Sequence, residues 1–245
     1  MIAPAATIPA AGLPPPDRMA LLLDVDGTLL DFAPTPDAVL VPPALPPALR
    51  ALRARLGGAL ALISGRKVAE VEALLPDTAA AIAGEHGAAL RPAPGATLRR
   101  LPLPHPPAAW TKAAATLAAA HPGTLLETKP HGLVLHYRRA PEAGPALRAG
   151  LAAIAADHPD FAITPANMAW ELRPRAADKG AALRAILALP GFAGRVPVFA
   201  GDDVTDRDAI AAARALGGIG FYVPEAFGDP AAVRAWLVRL AREGW

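Results

Sequence analysis

Short unbroken apolar runs alternate along this chain with stretches whose apolar positions recur every three or four residues. Met19 to Leu23 is one such run, ending at Asp24. Its lack of polar positions predicts a strand covered on both faces. Leu45 to Leu56 is apolar at helical spacing and stops at Gly57-Gly58. Ala59 to Ile63 predicts a second buried strand, ending at Ser64-Gly65-Arg66. A helix over Lys67 to Leu75 is closed by Pro76, and Ala80 to Ala83 predicts a third strand that runs into Gly84-Glu85-His86-Gly87.

The rhythm changes near Leu98. Pro102, Pro104, Pro106 and Pro107 crowd one segment, as at a hinge or domain crossing. Beyond it the pattern predicts a helix (Ala108 to Ala120), strands Thr124 to Lys129 and Leu133 to Arg138, a helix (Glu142 to Ala156), and strands Phe161 to Thr164 and Met168 to Leu172. These strands are spaced for hairpins rather than crossovers, which describes a small α+β unit. From Asp178 the strand–helix alternation resumes. It gives a helix from Lys179 to Leu189, a strand from Val196 to Ala200 ending at Gly201-Asp202-Asp203, a helix from Thr205 to Ala215, a strand from Ile219 to Val223 and a helix from Pro230 to Arg242. The expected class is therefore α/β: a Rossmann-like core with a mostly parallel sheet, residues 18–101 and 177–245, interrupted by a smaller α+β domain, residues 102–176. Residues 1–17, rich in Pro and Ala, read as a flexible arm.

Composition narrows the possibilities. The 245 residues suffice for one large or two modest domains; with 53% hydrophobic residues but only 5% aromatic, core volume must come from Leu, Val and Ile over many elements. The formal net charge is only +2 and the basic residues are scattered, so nucleic acid is not an expected partner. Cysteine is absent, which removes disulfides, a thiol nucleophile and thiolate metal sites. No signal peptide or bilayer-spanning run is apparent, and a soluble, cytoplasmic, monomeric protein is expected.

The chemistry gathers where strands end. Asp24 and Asp26 are two apart, so in extended geometry their carboxylates share a side and repel unless a hard cation lies between them. Mg²⁺ is the usual occupant of such oxygen sites when phosphate is the substrate. Gly27 permits a sharp turn, and Thr28 adds a hydroxyl. Asp202, Asp203 and Asp206 place three acids in five positions beside another apolar strand; one of them could cap a helix, but three call for a cation. Ser64-Gly65-Arg66 puts a hydroxyl and amides at a helix start, a cradle for phosphate. Lys179 opens a helix, where a cation is misplaced unless an anion faces it. Together these residues supply nucleophile, acid–base, metal carboxylates and oxygen clamps for phosphoryl transfer.

From about Met19 to Leu240 the chain resembles the haloacid dehalogenase-like phosphatases, and within them the trehalose-6-phosphate phosphatases. The general motifs are Asp24-Val25-Asp26-Gly27-Thr28, Ser64, Lys179 and Gly201-Asp202-Asp203-x-Thr205-Asp206. The narrower likeness rests on Asp31-Phe32-Ala33-Pro34, Val41-Pro42-Pro43, Ser64-Gly65-Arg66, Gly84-Glu85-His86-Gly87, Glu127-x-Lys129, His136-Tyr137-Arg138 and Glu171-Leu172-Arg173-Pro174. The resemblance implies that Asp24 attacks phosphorus to give an aspartyl-phosphate, while Asp26 protonates the leaving sugar oxygen and then activates water. It implies Mg²⁺ held by the Asp24 side chain, the Asp26 carbonyl and Asp202, with Asp206 or Asp203 acting through water. Ser64 and Lys179 would hold phosphoryl oxygens, and Thr28 would stand beside them. Residues 102–176 would form a cap over the sugar. Gly65, Arg66, Glu85, His86, Glu127, Lys129, Arg138 and Glu171 would bind substrate, the four in the cap gripping trehalose hydroxyls.

Two positions depart from the family pattern. Arg207 stands where an acid commonly follows Thr-Asp, and Ala88-Ala89 replaces the frequent Gly-Ala-Glu. These changes bear on outer metal tuning and on substrate or cap contacts, not on the core chemistry. Two other readings stand beside this one. The substrate could be another sugar phosphate, such as sucrose phosphate or mannosyl-phosphoglycerate, or the domain could be a non-catalytic relative that keeps the fold.

Overall fold

The computed structural model describes residues 12–33 and 38–243. Most of the expected N-terminal arm and the Pro34 of one motif lie outside them. Of the arm, Leu13 packs against the core and the Pro16 carbonyl accepts from Arg195 Nη1 at 3.2 Å.

The elements run β1 (Met19–Leu23), α1 (Leu45–Arg55), β2 (Leu60–Ile63), α2 (Val68–Leu74), β3 (Ala81–Gly84), β4 (Ala89–Arg91), β5 (Arg99–Arg100), α3 (Ala108–Ala119), β6 (Leu125–Lys129), β7 (Gly132–His136), α4 (Gly144–Ile154), β8 (Phe161–Ala166), β9 (Ala169–Pro174), α5 (Lys179–Leu187), β10 (Val196–Gly201), α6 (Arg207–Ala215), β11 (Ile219–Tyr222), α7 (Val223–Ala226) and α8 (Pro230–Glu243). By contact density the chain divides into two compact units. One holds the residues up to Leu101 and from Asp178 onward, and the other is Pro102–Ala177.

The first unit carries a sheet in the order β11-β10-β1-β2-β3-β4-β5, parallel from β11 to β3. All five residues of β1 are buried, as a strand with helices on both faces requires. α1 buries Leu45, Ala48, Leu49 and Leu52, and α8 buries Val233, Trp236, Leu237 and Leu240; both sets recur at helical spacing. Truncating one of these leucines to alanine would cost about 2–5 kcal/mol. The antiparallel strands β4 and β5 have no counterpart in the sequence-based expectation, since three- and two-residue strands are too short to show a period. The helix expected from Thr205 begins instead at Arg207, because Val204–Asp206 forms a tighter 3-10 turn.

The second unit is a four-stranded antiparallel sheet in the order β6-β7-β9-β8. One face, with Leu133, Leu135, Phe161 and Leu172, packs on Trp110 and Ala114 of α3 and on Leu147 and Leu151 of α4. The alternate positions face away from that core, and most of the sheet's charged residues stand there. No helix among the described residues is long and apolar enough to cross a membrane.

Candidate active site

Sheet topology brings the strand-end residues of the first unit together. The chain leaves β1 toward β2 and β3, then returns to β10 on the opposite side of β1. The crevice at such a reversal, outside the carboxyl ends of the strands, is where open α/β sheets bind ligands. Asp24 follows β1 and Asp202 follows β10, and the Asp24 amide donates to Ala200 O at 2.9 Å. The chain then turns back: the amides of Leu29 and Leu30 donate to Val25 O at 2.9 Å. Gly27 has φ +81°, and a Cβ there would collide with the Asp202 carboxylate. Only glycine lets the two loops approach this closely. Thr28 Oγ1, fully buried, donates to Asp202 Oδ1 at 3.3 Å.

Lys179 closes this arrangement. Asp178 caps α5 by accepting from the Ala181 amide at 2.7 Å, which points the first helical side chain into the crevice. Lys179 Nζ lies 2.6 Å from Asp24 Oδ1 and 2.7 Å from Asp206 Oδ1, and all three residues are buried. The other oxygen of Asp206 accepts the amides of Asp202 (3.1 Å) and Asp203 (3.0 Å) and so folds the loop after β10. Asp203, half-buried, spends Oδ1 on the Val204 amide at 2.7 Å as a cap. Burial, and after it the Asp206 carboxylate, raises the Asp24 carboxyl well above its usual range against the pull of Lys179. The same two causes push Asp202 up to about 6. Burial also raises Asp203, although the Val204 amide opposes it. Burial works against the charge on Lys179 too, but Asp206 and Asp24 outweigh it and hold the ammonium above lysine's ordinary range.

The donor set fits a divalent cation. Carboxylate oxygens of Asp24, Asp202 and Asp206 lie within 4.8 Å of one another. Three carboxylates against one lysine leave an excess of two negative charges in a largely buried site, the charge a hard dication neutralises. Asp203 and Asp26, also expected near the metal, are not in this carboxylate cluster.

Asp26 takes a different side-chain partner from Asp24. The strand ends at Leu23, and the turn aims the Asp26 carboxylate at Arg66: Nε to Oδ2 and Nη2 to Oδ1 are both 2.7 Å, a bidentate pair. Arg66 reaches it from the loop after β2, where the Arg66 amide donates to Ser64 Oγ at 3.1 Å. That loop is braced by the next one. The amides of Glu85 and His86 donate to Arg66 O (2.8 Å) and Ser64 O (3.0 Å), with Glu85 and His86 at φ 53° and 55°. A left-handed pair of non-glycine residues persists only where the surroundings hold it. Arg100 Nη1, missed in the sequence because β5 was not foreseen, adds 3.1 Å to Glu85 Oε1. The His86 ring covers Gly65 closely enough that a Cβ there would come within 2.8 Å of it.

In the second unit Glu127, Lys129 and Glu171 share the face of the sheet turned away from α3 and α4. Lys129 Nζ donates to Glu171 Oε1 at 2.7 Å, and His136 Nε2 lies 2.8 Å from Glu127 Oε2. The His136 bond, opposed by burial, holds Glu127 below the usual carboxylate range. Burial disfavours the Lys129 charge, yet Glu171 outweighs it and raises the pKa. Arg138 stands apart from these rows, beyond β7 and exposed, with Nη2 3.5 Å from Asn167 O. His136 was missed as a partner because only the Leu125–His136 register brings it beside Glu127.

Comparison with known proteins agrees with this geometry. The family model for trehalose-phosphatase matches residues 22–224. A probable trehalose-phosphate phosphatase of Sinorhizobium fredii is 41% identical over 211 residues, 84% of this chain and 78% of that one. Trehalose-6-phosphate phosphatase of Escherichia coli is 35% identical over 232 residues, 93% and 84% of the two chains. Among solved structures, the C-terminal domain of the C. albicans trehalose-6-phosphate phosphatase superposes with a TM-score of 0.77 at 20% identity, covering 92% of this chain and 93% of that one, and shows the shared fold. These matches favour neither the rival sugar phosphates nor a non-catalytic relative. The chain belongs to the trehalose-phosphatase family.

Proposed function

We propose that this protein is a Mg²⁺-dependent phosphatase that hydrolyses trehalose 6-phosphate to trehalose and phosphate through an aspartyl-phosphate on Asp24. The observation that carries the reading is the buried cluster in which Asp24, Asp202 and Asp206 converge on one another and on Lys179. Asp24 Oδ attacks phosphorus as the bond from phosphorus to the sugar oxygen breaks, and Asp26 gives that oxygen a proton. Water then attacks the phosphorus of the aspartyl-phosphate, Asp26 takes its proton, and the Asp24 carboxylate is released with inorganic phosphate. In the bidentate pair both Asp26 oxygens are engaged by Arg66, so one must be freed for each proton transfer. Lys179 and Ser64 hold phosphoryl oxygens, and Thr28 steadies Asp202.

The Asp24 and Asp202 carboxylates and the Asp26 carbonyl would hold the metal. Asp206 has both oxygens committed to Lys179 and to backbone amides, which fits an outer role through water, and Asp203 is likewise spent as a cap. Bound Mg²⁺ would offset the excess negative charge of the cluster and of the phosphoryl oxygens. We assign residues 102–176 as the cap that closes over the sugar, with Glu127, Lys129 and Glu171 gripping its hydroxyls. Gly65, Arg66, Glu85 and His86 form the loop pair that borders the phosphate. The exposed Arg138 is assigned as a further sugar contact.

A monomer is the proposed working form. A cytoplasmic setting follows from the substrate, since charged sugar phosphates stay where they are made. The test is phosphate release from trehalose 6-phosphate beside glucose 6-phosphate and sucrose 6-phosphate, with Mg²⁺ and with EDTA. Preference for trehalose 6-phosphate, abolished by EDTA and restored by Mg²⁺, is expected. Indifference to that substrate would defeat the assignment.

A further inference from the structure

On the face of the small sheet turned away from α3 and α4, charged side chains stand in two adjacent cross-strand rows. Glu127, Val134, Glu171 and Thr164 are in register across β6, β7, β9 and β8. One step along, Lys129 lies opposite Gly132, and Arg173 lies opposite Ala162. The register sets Gly132 between the two cations, and a Cβ there would come within 2.5 Å of Leu172 O. The neighbours of Arg173 in this row carry no side chain (Gly132) and only a methyl (Ala162).

Three of the four charges are matched. Lys129 pairs with Glu171 and Glu127 with His136. Arg173 is not: among the described residues its side chain has no hydrogen bond or ion pair, and its Nε is buried. A buried donor without an acceptor bears its desolvation cost with no return. A guanidinium presents five donors in a fixed fork, suited to neighbouring oxygens. The row of two carboxylates beside it repels a phosphate dianion, whereas alternating acceptors and donors match a neutral polyol that both gives and takes hydrogen bonds.

We infer that Arg173 is a sugar-binding residue, donating to hydroxyl oxygens of the phosphorylated sugar. The inference rests on the sugar-phosphatase reading above. It is tested by steady-state kinetics of Arg173→Ala and Arg173→Gln on trehalose 6-phosphate, with neutral trehalose titrated directly against each protein. KM is expected to rise at least about tenfold with a much smaller change in kcat, and trehalose binding to weaken in parallel. Arg173→Lys keeps the charge but loses the fork, and is expected to restore little of the loss. Arg173→Gln keeps a polar side chain of similar reach, so the test survives if the alanine variant fails to fold. Unchanged KM and unchanged trehalose binding in a folded variant would overturn the inference. An equal rise in KM for p-nitrophenyl phosphate, which carries no sugar, would also overturn it. If the wild-type protein ignores trehalose 6-phosphate, the function above fails instead, and Arg173 is read with the same variants on the sugar phosphate that the panel identifies.

Discussion

Lys179 Nζ lies 2.6 Å from Asp24 Oδ1 in full burial, so the cation that opens α5 is the counter-charge of the residue that ends β1. The same ammonium holds Asp206, which in turn holds the loop after β10. Removing one partner of a buried ion pair costs about 3–5 kcal/mol. Lys179→Ala is therefore expected to lower the melting temperature by on the order of 10 °C for a chain of this size. Phosphate release should fall with it. Differential scanning calorimetry checks the first part, and a variant that melts with the wild type would contradict the pairing.

The bidentate clasp of Arg66 on Asp26 separates two roles that the sequence motif runs together. Asp26→Asn keeps the hydrogen-bonding shape but cannot transfer the proton, and should lower kcat by about 10²–10⁴-fold. The protein should remain folded. A kcat within threefold of wild type would remove Asp26 from proton transfer.

Asp202 gives a pH dependence with a definite sign. Burial and Asp206 push it up to about 6, so protons and Mg²⁺ compete for the same oxygens below that pH. Affinity for Mg²⁺, measured by calorimetric titration, should weaken steeply from pH 7 to pH 5. In metal-free protein an acid with a raised folded pKa takes up its proton first in the folded state. Its contribution to stability therefore grows as pH falls from about 6 toward the unfolded value near 3.9. Mg²⁺ affinity that is flat across this range would contradict the assignment.

Glu127 has the opposite sign. His136 holds its pKa down, so its contribution is complete above the unfolded value of about 4.3 and is lost as pH falls through the lower folded one. His136→Ala should move the Glu127 titration, followed by NMR at the carboxyl carbon, back up toward the usual range. No movement would show that the 2.8 Å contact does not govern this carboxylate.

Much of this site could be read from the sequence because its residues sit where apolar runs stop. Asp24, Ser64, Lys179 and Asp202 announce themselves as polar residues at the ends of buried strands or the start of a helix. Their mutual distances were not legible. Lys179 and Asp24 are 155 positions apart, and Thr28 and Asp202 174, so their contacts depend on how β10 returns beside β1. Strand alternation predicted that Asp26 would face the same way as Asp24. It did not name their partners: the loop after β2 brings Arg66 to Asp26, while α5 brings Lys179 to Asp24. The acids after β10 looked alike in the sequence, yet hydrogen bonding divides them: Asp206 clamps the loop, Asp203 caps a turn, and Asp202 joins Asp24. The strands β4 and β5 are too short to leave a pattern, so Arg100 as a partner of Glu85 was out of reach.

The central claim is that Asp24 is the nucleophile. The measurement that tests it most directly is the rate of phosphate release from trehalose 6-phosphate, with Mg²⁺, by Asp24→Asn beside the wild type. The variant is expected to lose several orders of magnitude in kcat while melting no lower, because the substitution removes one charge from a cluster that carries an excess. A folded Asp24→Asn protein turning over within tenfold of the wild type would contradict the account.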